Sequence, residues 1–190
     1  MRTNKRLSLR LLLLIVAAQL ALGALAVWRW SPPVFPRGIV LHHSASPMYN
    51  HNRPIGAADI DQWHAARGFG AFYEGKFYHI GYHYIIRADG KVEAGRPEGC
   101  WGGHATYGND CLGICLVGDF SSMDNPRGRK GPNTPTPAQL AALTTLCRHL
   151  LDKYHLPPAS LLTHRQVDGD TECPGDRFPF EDVKQAVEEQ

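Results

Sequence analysis

GIVLHHSA, residues 38–45, is apolar through Leu41 and turns polar at His42 and His43. An unbroken apolar run of this length, opened by glycine, has the composition of a short strand covered on both faces. It therefore places His42 at the end of a buried strand. LGICLVGDF, residues 112–120, reads as a second such strand, central in its sheet. Residues 59–67 (DIDQWHAAR) have helical composition and are stopped by Gly68 and Gly70, with His64 as a packing side chain on the helix face. Residues 77–96 (FYHIGYHYIIRADGKVEAGR) alternate with period two around the Asp89-Gly90 turn signal, which predicts a hairpin. Alternation puts Tyr82 and Tyr84 on one face of its first strand and His83 and Ile85 on the other.

The clearest helix follows. Thr136 and Gln139 form an N-capping box around Pro137, and Leu140, Leu143, Cys147, Leu150, Leu151 and Tyr154 recur at three- and four-residue spacing. SLLTH, residues 160–164, reads as a brief strand delivering His164, and residues 181–189 as a terminal helix. Strands alternating with helices imply the α/β class, with a single mixed β-sheet flanked by helices.

Ahead of this domain, Lys5, Arg6 and Arg10 precede a nearly unbroken apolar run over residues 11–28. That run is close to the ~20 residues that cross a bilayer, and flanking basic residues favour a cytoplasmic N-terminus. The expectation is an N-terminal hydrophobic helix (residues 1–30, signal-anchor or signal peptide), a proline-rich linker (31–37) and a catalytic domain (38–190). The domain then works in the cell envelope, anchored in the inner membrane and facing the periplasm. The alternative is cleavage at the A-x-A pattern of Ala24, Leu25 and Ala26, which makes it secreted.

The formal net charge of +2 conceals an asymmetry. Five of the 20 basic residues lie in the first thirty, which hold no acid; setting them aside leaves 15 basic against 18 acidic, a formal −3. Such a domain lacks the basic footprint of a nucleic-acid binder. Five cysteines are an odd set, which in an exported protein suggests a special duty for one. Cys115 and Cys147 read as core thiols, and Cys100 and Cys111 flank a glycine-rich loop as a candidate disulfide. His42, His164 and Cys173 then offer nitrogen, nitrogen and sulfur. A catalytic zinc takes three such ligands tetrahedrally and keeps its fourth position open.

IVLHHSA, GYHYIIRADGKVEAGR, GGHA, LGICLVGDF, TPAQLAAL and THRQV followed by TECPGD, in that order from Gly38 to Phe180, resemble the zinc N-acetylmuramoyl-L-alanine amidases of type 2. That family includes phage lysozymes that are amidases and the animal peptidoglycan recognition proteins. The resemblance implies a Zn2+ cofactor on His42, His164 and Cys173, with His43 not a ligand. It places Tyr82 beside the metal water and Thr171 as a second catalytic side chain. The phage enzymes have lysine at that second position, so a hydroxyl here supplies a hydrogen bond without an ammonium's charge. His104, in GGHA, falls at a substrate-contacting position. Trp101 and Tyr107, in the same glycine-rich loop, are candidates to stack on sugar and to hydrogen-bond peptide. Family members that bind peptidoglycan without cutting it lack the thiol, so Cys173 argues for hydrolysis. The implied reaction cuts the amide between N-acetylmuramic acid and L-alanine, in a monomer whose partner is peptidoglycan or muropeptide. The alternatives are a non-hydrolytic peptidoglycan-binding module and a zinc peptidase acting on the stem peptide.

Overall fold

Apolar runs at residues 39–43 and 112–116 pair as neighbours at the centre of the sheet, where all ten residues are buried. The computed structural model describes residue 11, residues 13–19 and residues 35–189. In chain order the strands are β1 (Ile39–His43), β2 (Tyr49–Asn50), β3 (Arg53–Pro54), β4 (Ala71–Tyr73), β5 (Lys76–Tyr78), β6 (Tyr84–Ile86), β7 (Val92–Ala94), β8 (Leu112–Leu116) and β9 (Leu161–Thr163). The helices of the domain are α1 (Ala57–Ala66), α2 (Pro137–Lys153), α3 (His164–Asp168) and α4 (Phe180–Glu188). Five strands form one mixed sheet in the order β7-β6-β8-β1-β9, parallel throughout except for β7. This is the expected α/β arrangement.

Period-two alternation divides β1 between two cores. Ile39 and Leu41 join Leu143, Cys147 and Leu150 of α2 and Val183 and Val187 of α4 on one face. On the other face Cys115 and Val117 pack with Ile60 of α1, Ile55, Ile80 and Ile85. His42 lies in register with Cys115, so its ring emerges on the α1 side.

The capping box at the start of α2 forms as read. Thr136 Oγ1 accepts the Gln139 N–H at 3.1 Å, and Gln139 Oε1 accepts the Thr136 N–H at 3.0 Å. The fully buried Gln139 amide also donates to the carbonyls of Ile86 and Val117, fastening the helix to the sheet. Thr136→Ala is expected to cost about 1 kcal/mol of stability, read as a lower urea midpoint with an unchanged slope.

The hairpin departs from strict alternation. Tyr84 packs against the α2 and α4 core, whereas Tyr82 packs with the α1 side. The cause is His83: its N–H donates to the Gly113 carbonyl at 2.9 Å, but its ring Nδ1 accepts the Gly113 N–H at 2.9 Å, taking a bond that a main-chain carbonyl would supply in a regular ladder. The pleat is lost there and Tyr82 turns towards the cleft. The hairpin is held by Arg87, which pairs with Asp89 and Glu93. Arg96 is buried on the carbonyls of Ile80 and Trp101.

The membrane reading is corrected. Among the described residues no helix is long and apolar enough to cross a membrane. The described helical residues of the apolar run, Leu11 and residues 13–19, at ~1.5 Å each cover less than half of a ~30 Å hydrocarbon core. The expected transmembrane helix, and the inner-membrane-anchored, periplasm-facing location built on it, therefore have no support. The Ala24 to Ala26 cleavage pattern lies outside the described residues.

Candidate metal centre

Parallel pairing of β1 with β9 brings His42 and His164 to the same sheet edge. β9 runs directly into α3, whose first residue is His164. Thr163 caps that helix, its Oγ1 accepting the Gln166 N–H. After α3 the chain reverses at Gly169, in the left-handed region at φ +77°, where a Cβ would be strained. The return segment is tied down by the Arg165 N–H on the Cys173 carbonyl at 2.9 Å and delivers the thiol beside β1. The donor atoms of His42, His164 and Cys173 all lie within 4.8 Å of one another.

These residues fit zinc. Cys173 Sγ lies 3.7 Å from His42 Nδ1; a tetrahedral ion with its usual bond lengths holds nitrogen and sulfur donors ~3.6 Å apart. Sγ also accepts the His43 N–H at 3.3 Å, a bond suited to a thiolate. His42 is 1% exposed, and burial, reinforced by His104, His164 and His43, holds its pKa well below the usual range. It is therefore a neutral ring with a lone pair to give. Burial pushes the Cys173 thiol up to about 12, opposed by the His43 N–H, so without a cation beside it the thiol keeps its proton.

A cleft of about 550 Å³ opens over His164 and Cys173, lined among others by Tyr82, Thr171 and His104. The Tyr82 ring lies 5.1 Å from that of His42. Burial, then the neighbouring Cys115 and Cys173, raise its pKa well above 10, so its hydroxyl remains a donor. Thr171 Oγ1 accepts the Cys173 N–H at 3.2 Å, which leaves its own hydrogen free for the cleft. His104 lines the cleft with both ring nitrogens engaged, Nδ1 with His42 Nε2 and Nε2 with the Cys111 carbonyl, each at 3.1 Å. Trp101 and Tyr107 are not brought to the donors: the two residues are 59% and 69% exposed, outside the cleft lining. Their backbones serve the site instead, the Trp101 carbonyl holding Arg96 and the Tyr107 N–H holding Asp168.

Among the residues of the cleft wall that sequence reasoning missed are His43, His64, Arg67, Phe69 and Asp168. His64, expected to be a plain packing residue, accepts the Gly81 N–H on Nδ1 at 2.9 Å and stacks on Phe69 at 4.8 Å. The available signal was compositional, a histidine, an arginine and an aromatic within six residues at the end of a helix. His43 accepts the Phe120 N–H on Nδ1, and its pKa falls to about 4 through burial. Cys100 and Cys111 are both free thiols, so the candidate disulfide is not formed.

The family profile of N-acetylmuramoyl-L-alanine amidases matches residues 31–176. The endolysin of Escherichia phage T7 is 38% identical over 131 residues, 68% of this chain and 74% of the relative. Among solved structures, the N-acetylmuramoyl-L-alanine amidase LysC from Clostridium intestinale superposes with a TM-score of 0.65 at 32% identity, covering 84% of this chain and 92% of that one. A Drosophila PGRP-LB variant in complex with tracheal cytotoxin gives a TM-score of 0.59 at 29% identity, covering 83% and 89%. The phage relative is an endolysin, which offers no support for inner-membrane anchoring either. The family profile spans the residues of the candidate metal centre, and the chain belongs to the type 2 N-acetylmuramoyl-L-alanine amidase family.

Proposed function

We propose that this chain is a zinc amidohydrolase that cuts the amide between the lactyl group of N-acetylmuramic acid and L-alanine in peptidoglycan. The observation that carries this reading is the cluster of two imidazoles and one thiol, with donor atoms within 4.8 Å of one another, beside a cleft that His164 and Cys173 line. His42, His164 and Cys173 would hold the ion. When bound, zinc supplies a Lewis acid that polarises the scissile carbonyl and lowers the pKa of water to ~7.

The remaining work falls to the chain's own groups. The Tyr82 hydroxyl, kept protonated by burial, donates to the oxyanion that develops at the carbonyl oxygen. The Thr171 hydroxyl, which accepts the Cys173 N–H, is the second donor lining the cleft. The cleft lining, which includes Arg67, Phe69 and Thr106, receives glycan and peptide.

Digestion of purified sacculi by the zinc-loaded protein, with fragments weighed by mass spectrometry, tests the reaction. The expected products carry a free L-alanine amino terminus and an intact lactyl carboxylate. Fragments cut within the stem peptide would identify a peptidase, and binding without any new amino group would identify a recognition module; either would overturn the proposal.

A further inference from the structure

The hydrogen bonds behind the two imidazole ligands run in a single direction, and that direction follows from the acceptors at their far ends. His104 Nε2 faces the Cys111 carbonyl at 3.1 Å. A carbonyl can only accept, so Nε2 carries the ring's hydrogen and Nδ1 of the neutral ring is bare. His42 Nε2, 3.1 Å from that bare nitrogen, must then be the donor. Its hydrogen is committed there, and His42 Nδ1, on the Cys173 side, is left with its lone pair.

The second ligand has the same logic with a different acceptor. His164 Nε2 lies 2.9 Å from Asp168 Oδ2. That carboxylate is oriented in turn by the N–H groups of Thr106 and Tyr107, at 2.7 and 2.9 Å. His164 Nε2 therefore donates, which leaves Nδ1 as the ring nitrogen that can offer a lone pair to an ion.

The His104 ring is also held sterically. A Cβ on Gly113 would stand 2.3 Å from His104 Cδ2, and one on Gly102 would stand 2.5 Å from the same atom. The ring fits because both neighbours are glycine, and the slot prevents it from turning away from His42.

We infer that His104 and Asp168 are positioning residues: they fix His42 and His164 in the Nε2–H tautomer before any ion arrives, so that both Nδ1 lone pairs face the Cys173 thiol. This rests on the zinc reading and assigns His104 a duty behind the metal in place of the substrate contact implied by the family resemblance. Losing an outer partner of a ligating histidine commonly weakens metal binding ~10- to 100-fold.

Long-range ¹H–¹⁵N spectra of the zinc-free full chain should show the Nε2–H pattern for His42, His104 and His164. Chelator competition should then give a zinc Kd raised ~10- to 100-fold in His104→Ala, with KM at saturating zinc unchanged. His104→Asn, whose side-chain oxygen can stand near the lost Nδ1, should recover part of the affinity, and Asp168→Asn should weaken zinc binding independently. An Nδ1–H pattern at His42, or a His104→Ala protein with unaltered zinc Kd and a raised KM, would overturn the inference and leave the proposed function standing. A wild-type chain that takes up no zinc would instead sink the proposed function, and this inference with it.

Discussion

Cys173→Ser is expected to abolish zinc retention and amidase turnover together while leaving the fold in place. The sulfur is the third corner of the donor set, 3.7 Å from His42 Nδ1, and of the three donors it is the one that can bring a negative charge to an ion. A serine hydroxyl occupies nearly the same volume but does not ionise in this range, so the site would offer two nitrogens and a neutral oxygen. Removing a direct ligand should exceed the upper end of what losing an outer partner costs, more than ~100-fold in zinc Kd, with turnover at limiting zinc falling in parallel. The fold should survive because the main-chain ties of this segment do not involve sulfur: the Cys173 carbonyl still accepts the Arg165 N–H and its N–H still meets Thr171. Metal analysis after dialysis, a chelator-competition Kd and a urea melt of the zinc-free protein measure the three quantities separately. A serine variant that holds stoichiometric zinc through dialysis and digests sacculi at the wild-type rate would remove Cys173 from the ligand set.

Residues whose surroundings are written locally were legible before the structure. β1 and β8 are unbroken apolar runs, α2 announces its start with Thr136 and Gln139, and His42 and His164 stand where apolar strands end. Residues whose surroundings come from distant segments were not. Tyr82 was given the wrong companion face because the His83 ring replaces a main-chain bond to Gly113, thirty residues away, which no periodicity can register. His104 resembles a substrate contact until the slot between Gly102 and Gly113 and the carbonyl of Cys111 are seen to engage the whole ring. His64 sits on a helix face, as its spacing says, yet the turn at Gly68 brings Phe69 back over it and makes both part of the cleft wall. The apolar run of residues 11–28 shows the converse failure, in which composition alone suggested a span that the described residues do not provide.

Tyr82→Phe separates catalysis from metal binding, because Tyr82 touches the site without being one of its donors. Its ring packs 5.1 Å from His42 and 5.4 Å from His64, contacts that phenylalanine preserves. What disappears is one O–H on a ring that lines the cleft. An oxyanion donor in such surroundings is commonly worth ~3 kcal/mol, so kcat should fall about a hundredfold or more while zinc Kd stays at its wild-type value. The pH profile distinguishes donor from base. Burial holds the Tyr82 pKa well above 10, so the hydroxyl does not titrate in the neutral range, and the acid limb of the kcat profile should keep its position in the variant. An acid limb that vanished with the hydroxyl would make Tyr82 the general base. Unchanged turnover would leave Tyr82 without a catalytic role; the family resemblance sets lysine at position 171 in the phage enzymes, and its absence here argues against that outcome. A neutral threonine gives one hydrogen bond where an ammonium gives a full charge, so this chain leans more heavily on its remaining donor than a lysine-bearing relative does. The hundredfold figure is accordingly a lower bound for Tyr82 here, and restoring the charge with Thr171→Lys should shrink the penalty of Tyr82→Phe in a double-mutant cycle.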